Sequence, residues 1–557
     1  MSSTYVNDTY TDWSERATKE LKGKALESLN WTSSTGLSIK PYYSAEELKR
    51  RYPVIFGRET EEWSVYDAIH VVTASAANTL ALDALNAGAS ALTFIWMEPD
   101  LGQLPTLLKE IGLPYIECCF VLPIAHHTAF AKALNQFVQL AGFDLKDCKG
   151  SIHMDLSGSQ SATDLANHLE QLNTQSAAIQ ALLPGFRSIT IDAAVFANAG
   201  LPAEQELGLA LAWYQELNNK NNVQLNLSSG REYYTELCKF RIALHLMHLV
   251  DDSAPSPYLM GMSSETYLSE LDRYSNVLRL STSAMSAILG GSAGIQLTDF
   301  SSNEKDSAAF VARITRNIQL VLLNETGIAS VRDAAAGSYF LEEMSFLLAE
   351  QAWSYFIHIQ DQGGFFEFVR SGQLEEALDE GRTKILGEVK NRKRFFLGVN
   401  QYPSTLEQTP ALSPEQEGFM RPLHASHIFH ALKNTGHLKK AILLKFGNLA
   451  MRNARAGFID NFLRCGNWEI EEMVWEGKDL PKANLYVLCA SDEDYANLVL
   501  PDKASLASSG NKDLRFALAG APGELEDALR AKGVTRFIHA RSPLYNTLKE
   551  LEGLTHD

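Results

Sequence analysis

Residues 65–96 read VYDAIHVVTASAANTLALDALNAGASALTFIW, which places two short apolar segments on either side of a stretch with helical spacing. The outer segments, VYDAIHVV and ALTFIW, have the length and the β-branched or aromatic content of buried strands. The alanine-rich stretch between them has the length and composition of a helix. A strand, a helix and a second strand in this order predict a parallel β-α-β unit.

The same alternation continues along the chain as far as residue 300. Eight apolar segments, each followed by a helix-like stretch, lie at residues 65–72, 91–96, 115–122, 151–156, 188–196, 223–229, 257–264 and 294–300. Eight such units within about 240 residues have the number and the size of a (β/α)8 barrel. The sequence therefore predicts an α/β protein whose first large part is a TIM barrel.

The alternation begins again near the C-terminus, in apolar segments that start at residues 441, 483, 513 and 534. Residues 398–422 contain four prolines and few apolar side chains, which is typical of a linker. The sequence thus predicts four parts. They are an N-terminal arm (1–60), the barrel with post-barrel helices (61–395), a linker (396–437) and a small doubly wound α/β domain (438–557).

The composition argues against several classes of protein. A net charge of -18 disfavours nucleic acid as a main partner, because phosphate binding requires a basic surface. The six cysteines include no C-x-x-C pair, so we expect reduced, buried thiols and no zinc site. The N-terminus lacks the apolar core of a signal peptide, and no apolar run reaches the roughly 18 residues that span a bilayer. We therefore expect a cytoplasmic protein.

Four segments of the chain resemble motifs of one known family, in the same order. They are WSERATKELKGKALESLNWTSSTGLSIKPYYS (13–44), ELCKFRIALHL (236–246), RYSNVLRLSTSAMSAILGGSAGIQLTDF (273–300) and RITRNIQLVLLNETGIASVRDAAAGSYFLEEMSFLLAEQAW (313–353). Together they resemble the methylmalonyl-CoA mutase family. The resemblance implies a barrel followed by a flavodoxin-like cobalamin-binding domain. It also implies the interconversion of methylmalonyl-CoA and succinyl-CoA, with adenosylcobalamin supplying the radical chemistry.

The cobalamin-binding positions implied by this resemblance are altered. KFGNLAMRNARAGF (445–458) follows the apolar AILL and precedes the helical pattern GFIDNFLRC, so it reads as a strand-end loop. Active members carry Asp-x-His-x-x-Gly here, in which the histidine ligates cobalt and the aspartate orients it. The matching residues are Leu449, Met451 and Ala454. A thioether can bind soft metals, but Leu449 cannot orient it and Ala454 blocks close approach, so we expect no cofactor and no metal here.

The barrel positions implied for catalysis are altered as well. Active members place a Tyr-His pair near the substrate thioester carbonyl, where it would donate hydrogen bonds. The matching residues are Ala194 and Val195. Active members also use an Arg and a Tyr near the first strand, where the Arg would pair with the substrate carboxylate. The matching residues are Tyr66 and Ala68. We therefore expect no catalytic site in this chain.

A family-like chain without the family's chemistry resembles the small subunit of the heterodimeric bacterial members. The resemblance implies a large catalytic subunit as partner, with adenosylcobalamin bound there. The aromatic-rich residues 1–45 are expected to contact that partner. Two alternatives stay open at this point. The chain could be a barrel that binds an acyl-CoA or a regulator, or a mutase with an altered site.

Overall fold

The computed structural model describes residues 9–46, 51–58, 60–302, 306–403, 418–434, 439–477, 480–498, 500 and 515–553. These residues form two compact units. The barrel unit takes its residues from 1–267, 276–382 and 414–423, and the C-terminal unit takes its residues from 268–275, 383–413 and 424–557. The predicted domain boundaries stay predictions, and residues 404–417 and 435–438 of the predicted linker lie outside the described residues.

The barrel unit is built on a sheet of parallel strands that closes on itself. Its strands are β1 (Ser64–His70), β2 (Ala91–Ile95), β3 (Glu117–Val121), β4 (Gly150–His153), β5 (Phe186–Arg187 and Ile189–Asp192), β6 (Val223–Ser229), β7 (Tyr258–Ser263) and β8 (Gly294–Gln296). β8 pairs with β1, so the ends of the strand series meet. β5 is interrupted at Ser188; its first half pairs with β4 and its second half with β6. The predicted (β/α)8 barrel is confirmed.

Helices follow the strands and cover the outside of the barrel. In chain order the helices up to residue 390 are Tyr10–Glu20, Ala74–Asn86, Leu104–Leu107, His127–Leu140, Ala162–Leu182, Ala194–Asn198, Ala203–Gln215, Tyr233–Val250, Ser275–Leu289, Ala308–Asn324, Tyr339–Asp361, Phe365–Arg370 and Gln373–Lys390. The arm adds a short antiparallel pair, Trp31–Thr32 with Ser38–Ile39. The core lies between strands and helices, where small Ala77 and Ala81 let the first barrel helix pack on Leu92 and Phe94.

One strand is shorter than its apolar pattern predicts. The pattern SITIDAAVF suggests a strand over residues 188–196, but the strand ends at Asp192 and a helix begins at Ala194. The backbone N–H of Ala193 still bonds the carbonyl of Asn226 on β6, at 3.1 Å, and the chain then turns. Consecutive alanines favour the helix, and an apolar run by itself cannot distinguish a buried strand from a buried helix.

Residues of two family-like segments, 236–246 and 313–353, form a buried cluster of ion pairs. Arg241 is almost fully buried and bonds Asp333 at 2.9 Å and Glu342 at 3.0 Å through its guanidinium group. The Glu342 carboxylate, which is completely buried, also accepts the backbone N–H groups of Tyr52 and Gly337, each at 2.8 Å. One ion-pair cluster therefore ties the arm, a barrel helix and the long helix Tyr339–Asp361 together.

A second buried ion cluster lies between two neighbouring barrel helices. The ammonium group of Lys239 contacts the carboxylates of Glu206 at 2.5 Å and Glu236 at 2.6 Å. Glu206 is fully buried and also accepts the backbone N–H of Ser228 at 2.6 Å, near the end of β6. Such a cluster is compatible with a stable fold only while every buried charge is paired, because an unpaired buried charge is strongly destabilising.

The C-terminal unit contains a second parallel sheet. Its strands are β9 (Lys439–Lys445), β10 (Trp468–Val474), β11 (Leu485–Cys489), β12 (Phe516–Ala519) and β13 (Val534–Ile538). They lie in the order β10-β9-β11-β12-β13, which is the flavodoxin-like order and confirms the predicted fold class. Within its described residues, the unit has the helices His427–Lys433, Leu449–Arg464, Asp492–Ala496, Glu526–Ala531 and Leu544–Glu552.

Strand β10 was absent from the sequence-based strand pattern. Its sequence, WEIEEMV, contains three glutamates, so it lacks the continuous apolar character of a buried parallel strand. It lies at the edge of the sheet, where Glu471 bonds Lys440 at 2.5 Å and Glu472 bonds Lys445 at 2.7 Å on β9. An edge strand is half solvated and tolerates these side chains. Among the described residues, no helix is long and apolar enough to cross a membrane.

Candidate functional site

The barrel contains a cavity of about 660 Å³ at the carboxyl ends of its strands. This end of a TIM barrel is where catalytic and binding residues are normally found. The polar or ionisable side chains around the cavity include His70, Thr93, His153, Asp155, Asp192, Asn226, Gln296, Asp299, Thr315 and Arg316. Apolar side chains, among them Met154, Met260 and Met262, complete the wall.

Three of the four predicted barrel positions lie on this cavity wall. Ala68 faces the cavity from the end of β1, and Ala194 and Val195 face it from the short helix after β5. Their side chains offer methyl groups only, with no donor for a carbonyl oxygen. The cavity therefore lies where a barrel active site normally lies, but these three predicted positions contribute no polar side chain to it.

The fourth predicted position, Tyr66, lies outside the cavity lining. Its side chain is fully buried inside the barrel, one layer nearer to the amino ends of the strands than Ala68. Its hydroxyl donates a hydrogen bond to Glu117 and lies 3.3 Å from the hydroxyl of Tyr258. Tyr66 thus packs the barrel interior and leaves the cavity wall to its neighbours.

An ion pair completes this interior layer. Arg187 bonds Glu117 at 2.9 Å and places its guanidinium over the ring of Tyr258, 4.0 Å from the ring centroid. Burial alone would raise the pKa of Glu117, but the charge of Arg187 holds that pKa below its usual range. Both groups are therefore charged at neutral pH and form a polar plug beneath the cavity. Sequence reasoning missed this plug, because Arg187 precedes the apolar segment assigned to the fifth strand.

The cavity itself is acidic. Burial raises the pKa of Asp192 to about 7, and the carboxylate of Asp155 adds to that shift. Burial lowers the pKa of His153 to about 3, so this imidazole is neutral at physiological pH. On the opposite side of the barrel Arg316 forms an ion pair with Asp67. His153 and Asp192 are the last residues of their strands. Their position at the cavity could be recognised only once the barrel register was known.

A second candidate site is the crevice between β9 and β11 in the C-terminal unit. The strand order reverses there, and flavodoxin-like domains bind their ligands at this point. The loop predicted over residues 445–458 is mostly absent, since a helix begins at Leu449. The side chain of Asn448 caps this helix by accepting the backbone N–H groups of Ala450 and Met451, each at 3.1 Å. The predicted loop was therefore wrong from Leu449 onwards.

The three predicted cofactor positions lie on the exposed face of this helix. Leu449 is 62% exposed and Met451 is 41% exposed, and Ala454 is exposed on the second turn. A cobalt ligand needs a fixed side chain, and the Met451 thioether is exposed without such an anchor. The helix presents these positions to solvent as ordinary surface residues.

Side chains of the C-terminal unit occupy the crevice. The Asp494 carboxylate accepts the backbone N–H of Asn448 at 3.0 Å. It also lies so close to Gly447 that a side chain at position 447 would clash with it. The Tyr495 hydroxyl donates towards the carbonyls of Leu488 and Ala519 and accepts the N–H of Ala490 at 3.0 Å. The tyrosine hydroxyl therefore joins the ends of β11 and β12, the strands on one side of the crevice.

A basic residue covers this tyrosine. Arg455, from the helix that begins at Leu449, places its guanidinium 5.0 Å from the ring centroid of Tyr495. The same guanidinium bonds Asp492 at 2.6 Å and lies beside Gly520, where an added Cβ would meet it at 3.1 Å. Arg455 and Tyr495 therefore cover the ends of these strands.

Comparison with known proteins gives these two sites a family context. The family model for methylmalonyl-CoA mutase matches residues 104–424, which is more than half of the chain. The chain belongs to the methylmalonyl-CoA mutase family. It is 30% identical to the methylmalonyl-CoA mutase small subunit of Porphyromonas gingivalis, over 96% of each chain.

Further relatives of the mutase family carry the same description. The chain is 25% identical to the methylmalonyl-CoA mutase small subunit of Streptomyces virginiae, over 91% of this chain and 90% of that one. It is 28% identical to the probable methylmalonyl-CoA mutase small subunit of Mycobacterium tuberculosis, over 66% of this chain and 64% of that one. Similarity to small subunits of the mutase family therefore extends along nearly the whole chain.

The residues of this mutase-family chain do not fit the family's cobalamin. Met451, the predicted ligand position, lies on an exposed helix face, and Leu449, the predicted orienting position, offers no carboxylate. Asp494, Tyr495 and Arg455 contact one another or the backbone at the neighbouring strand ends. No reaction step can therefore be derived through a cofactor on this chain.

Restoring the three family residues alone is expected not to create a cobalamin site. In the triple variant Leu449→Asp, Met451→His, Ala454→Gly, the Asn448 cap and the Tyr495 contacts stay in place. We expect adenosylcobalamin to elute free of the variant in gel filtration, with its visible absorbance spectrum unchanged. The double variant Leu449→Asp, Ala454→Gly is the matched control without the imidazole. A retained cofactor with a shifted spectrum in the triple variant alone would contradict this expectation.

Proposed function

We propose that this chain is the small, non-catalytic subunit of a heterodimeric adenosylcobalamin-dependent methylmalonyl-CoA mutase. In the complex a larger catalytic subunit would isomerise methylmalonyl-CoA and succinyl-CoA, a reaction of propionate metabolism. The observation that carries the proposal is that Leu449, Met451 and Ala454 lie on an exposed helix face in a chain of this family, with no group among them suited to hold cobalt. The small-subunit names of its relatives give further support.

The barrel also favours a non-catalytic role. Ala68, Ala194 and Val195 provide no hydrogen-bond donor to an acyl carbonyl, so an oxyanion developing there would lack stabilisation. The acidic cavity would also repel a substrate that carries a carboxylate and the phosphates of coenzyme A. We therefore place both the substrate and the adenosylcobalamin of the complex on the partner subunit.

Reconstitution from separate subunits tests the proposal. We expect the purified chain, supplied with adenosylcobalamin, to retain no cofactor and to show no interconversion of the two acyl-CoA esters. Mixing it with the homologous large subunit is expected to give a stable one-to-one complex that is active. Turnover by the isolated chain, or failure to bind a large subunit that carries Asp-x-His-x-x-Gly, would overturn the proposal.

The arm is the surface that we propose for the partner. Trp13 stacks on Tyr42 with ring centroids 5.2 Å apart and planes 9° apart, and Tyr10 lies 5.9 Å from Trp13. These three rings are only partly buried. Aromatic side chains of this kind are common at the centres of protein interfaces. The proposed contact covers residues 1–45, of which residues 1–8 lie outside the described residues.

Removing the stacked indole is expected to weaken the heterodimer. Trp13→Ala should raise the dissociation constant for the large subunit at least about tenfold, since aromatic hot spots cost about 2 kcal/mol or more when truncated. Tyr115→Ala is the control, because Tyr115 is 87% exposed and precedes β3 at the other end of the barrel. Surface plasmon resonance with immobilised large subunit measures both variants, and equal binding by both would argue against the arm as interface.

The alternative is a barrel that binds a small molecule and regulates the complex. The cavity of about 660 Å³ favours this reading, although its acidic wall disfavours an acyl-CoA. We also propose a cytoplasmic location, which is consistent with six free and buried cysteines.

A further inference from the structure

Residues 418–423 (GFMRPL), which belong to the predicted linker in the sequence, are part of the barrel unit in the structure. Gly418 lies so close to the loop after β4 that a Cβ at this position would be 2.7 Å from the carbonyl oxygen of Ser159. The backbone N–H of Leu423 donates to the carbonyl of Asn198, at the end of the short helix after β5, at 2.7 Å. This segment, which we call the strap, therefore connects the loops that follow β4 and β5.

The strap forms part of the cavity wall. Pro422 lines the cavity, beside Asn198 and Val195 of the short helix after β5. The preceding strap residues Phe419 and Met420 are buried, at 7% and 0% exposure. The strap thus packs against the barrel unit and covers the cavity on the side of β4 and β5.

One arginine holds the middle of the strap. Arg382 lies on the helix Gln373–Lys390. Its Nη2 group donates to the carbonyl oxygens of Phe419 and Arg421, the second at 3.1 Å. The side chain of Arg382 is 9% exposed, whereas its ion-pair partner Asp379, at 2.9 Å, is 66% exposed. A single buried side chain therefore fastens two carbonyl groups of the strap, and its removal releases both.

The strap is weakly tied compared with the barrel strands. Among the described residues, three hydrogen bonds join its backbone to the rest of the barrel unit: the two from Arg382 and the one from Leu423. The strap pairs with no strand, and the barrel sheet closes through β8 and β1 without it. Segments with few hydrogen bonds open locally at lower cost than core strands. Burial of Phe419 and Met420 opposes opening, so the closed state predominates.

We infer that the strap opens and closes over the β4–β5 side of the cavity while the barrel stays folded, with Arg382 as its latch. Opening removes Pro422 from the cavity wall and widens the route by which a small molecule reaches the cavity. The inference concerns the barrel unit alone and does not depend on the proposed subunit role.

Hydrogen exchange of the full wild-type chain, followed by mass spectrometry, tests the movement. The amide of Leu423 should exchange at a rate that low concentrations of urea change little, because local opening of the strap exposes little surface. Amides of β2 and β3 should exchange faster as urea rises, since these strands open only with the barrel. A Leu423 amide with the same urea dependence as these strands would overturn the inference.

Arg382→Met tests the latch, because it removes the donors and keeps most of the side-chain volume. We expect exchange of the Leu423 amide to speed up at least about tenfold, since two hydrogen bonds from a charged group are lost. Arg370→Met is the matched control, the same change at a side chain that is 39% exposed. Equal exchange of Leu423 in wild type and Arg382→Met would contradict the role of Arg382.

Two neighbouring cysteines of β3 report on entry to the cavity. Cys119 lines the cavity, whereas Cys118 lies in the core between strands and helices. In Arg382→Met, iodoacetamide should modify Cys119 about tenfold faster than in wild type and leave Cys118 protected, as tandem mass spectrometry of the shared peptide distinguishes. Equal acceleration at both cysteines would show that the barrel unfolds, and unchanged labelling of Cys119 would show that the strap does not control entry. Either result would overturn the inference.

Discussion

Replacing Arg241 by methionine is expected to lower the free energy of unfolding of the barrel unit by about 3–5 kcal/mol. The guanidinium is the cation of a cluster whose Glu342 carboxylate is completely buried. Methionine keeps most of the volume but leaves Glu342 and Asp333 without their counter-charge. Removing one partner from a buried pair costs more than the pair contributes, because the remaining charge stays in a low-dielectric surrounding. Urea unfolding followed by circular dichroism and tryptophan fluorescence measures the change.

The matched control for this substitution is Arg370→Met. Arg370 also bonds a glutamate, Glu170, at 2.6 Å, but both side chains are well exposed, at 39% and 45%. Exposed pairs contribute about 0–1 kcal/mol, so this variant should unfold almost as the wild-type protein does. Similar destabilisation in the two variants would show that the buried position of Arg241 has no special energetic role.

Replacing Lys239 by methionine is expected to destabilise the protein by about 3–5 kcal/mol at pH 8, and by about 1 kcal/mol less at pH 5.5. Burial already raises the pKa of Glu206 from 4.5 to about 7 in the folded protein, with the Lys239 charge opposing that rise. Without the lysine the pKa of Glu206 rises further. Near pH 5.5 the variant can bury a protonated, neutral Glu206. At pH 8 it must either bury the unpaired carboxylate charge or keep the carboxyl protonated, which costs free energy at that pH.

The direction of this pH dependence follows from proton linkage. In the variant, the folded state keeps a proton on Glu206 that the unfolded state releases above its ordinary pKa of 4.5. The free energy of unfolding therefore falls as the pH rises from about 4.5 in both proteins, and above about pH 7, the folded pKa of Glu206 in the wild type, it continues to fall in the variant alone. Urea midpoints at pH 5.5 and pH 8 measure the difference between variant and wild type. Lys109→Met, at a 70% exposed lysine, is the control, and an equal loss at both pH values would contradict this account.

The barrel was predictable because its strands are buried on both faces. Such strands appear in the sequence as short continuous apolar runs, and β2 and β6 match their runs almost residue for residue. The edge strand β10 escaped this pattern because its glutamates face solvent. The helix that starts at Leu449 escaped it because Asn448, one side chain, fixes the start, and its polar surface residues lack apolar spacing.

For the candidate sites, the sequence predicted only which functional groups are missing. The resemblance located Ala68, Ala194 and Val195, and the structure places these three on the cavity wall. The polar residues that lie near these three positions could not be identified from the sequence. Asp192 and Thr315 are 123 positions apart in the chain numbering, and only the closed barrel shows that their elements line one cavity. Likewise Arg187 and Glu117 meet through strand register, which single-sequence patterns leave undetermined.

The charged edge of the C-terminal sheet bears on the tendency of the protein to aggregate. A bare sheet edge is a template on which another chain can add a strand, and this is a common start of aggregation. On β10 a foreign strand would have to approach a row of glutamates, two of which are held in place by lysines of β9. We expect these charged side chains to disfavour pairing between the sheet edges of two copies.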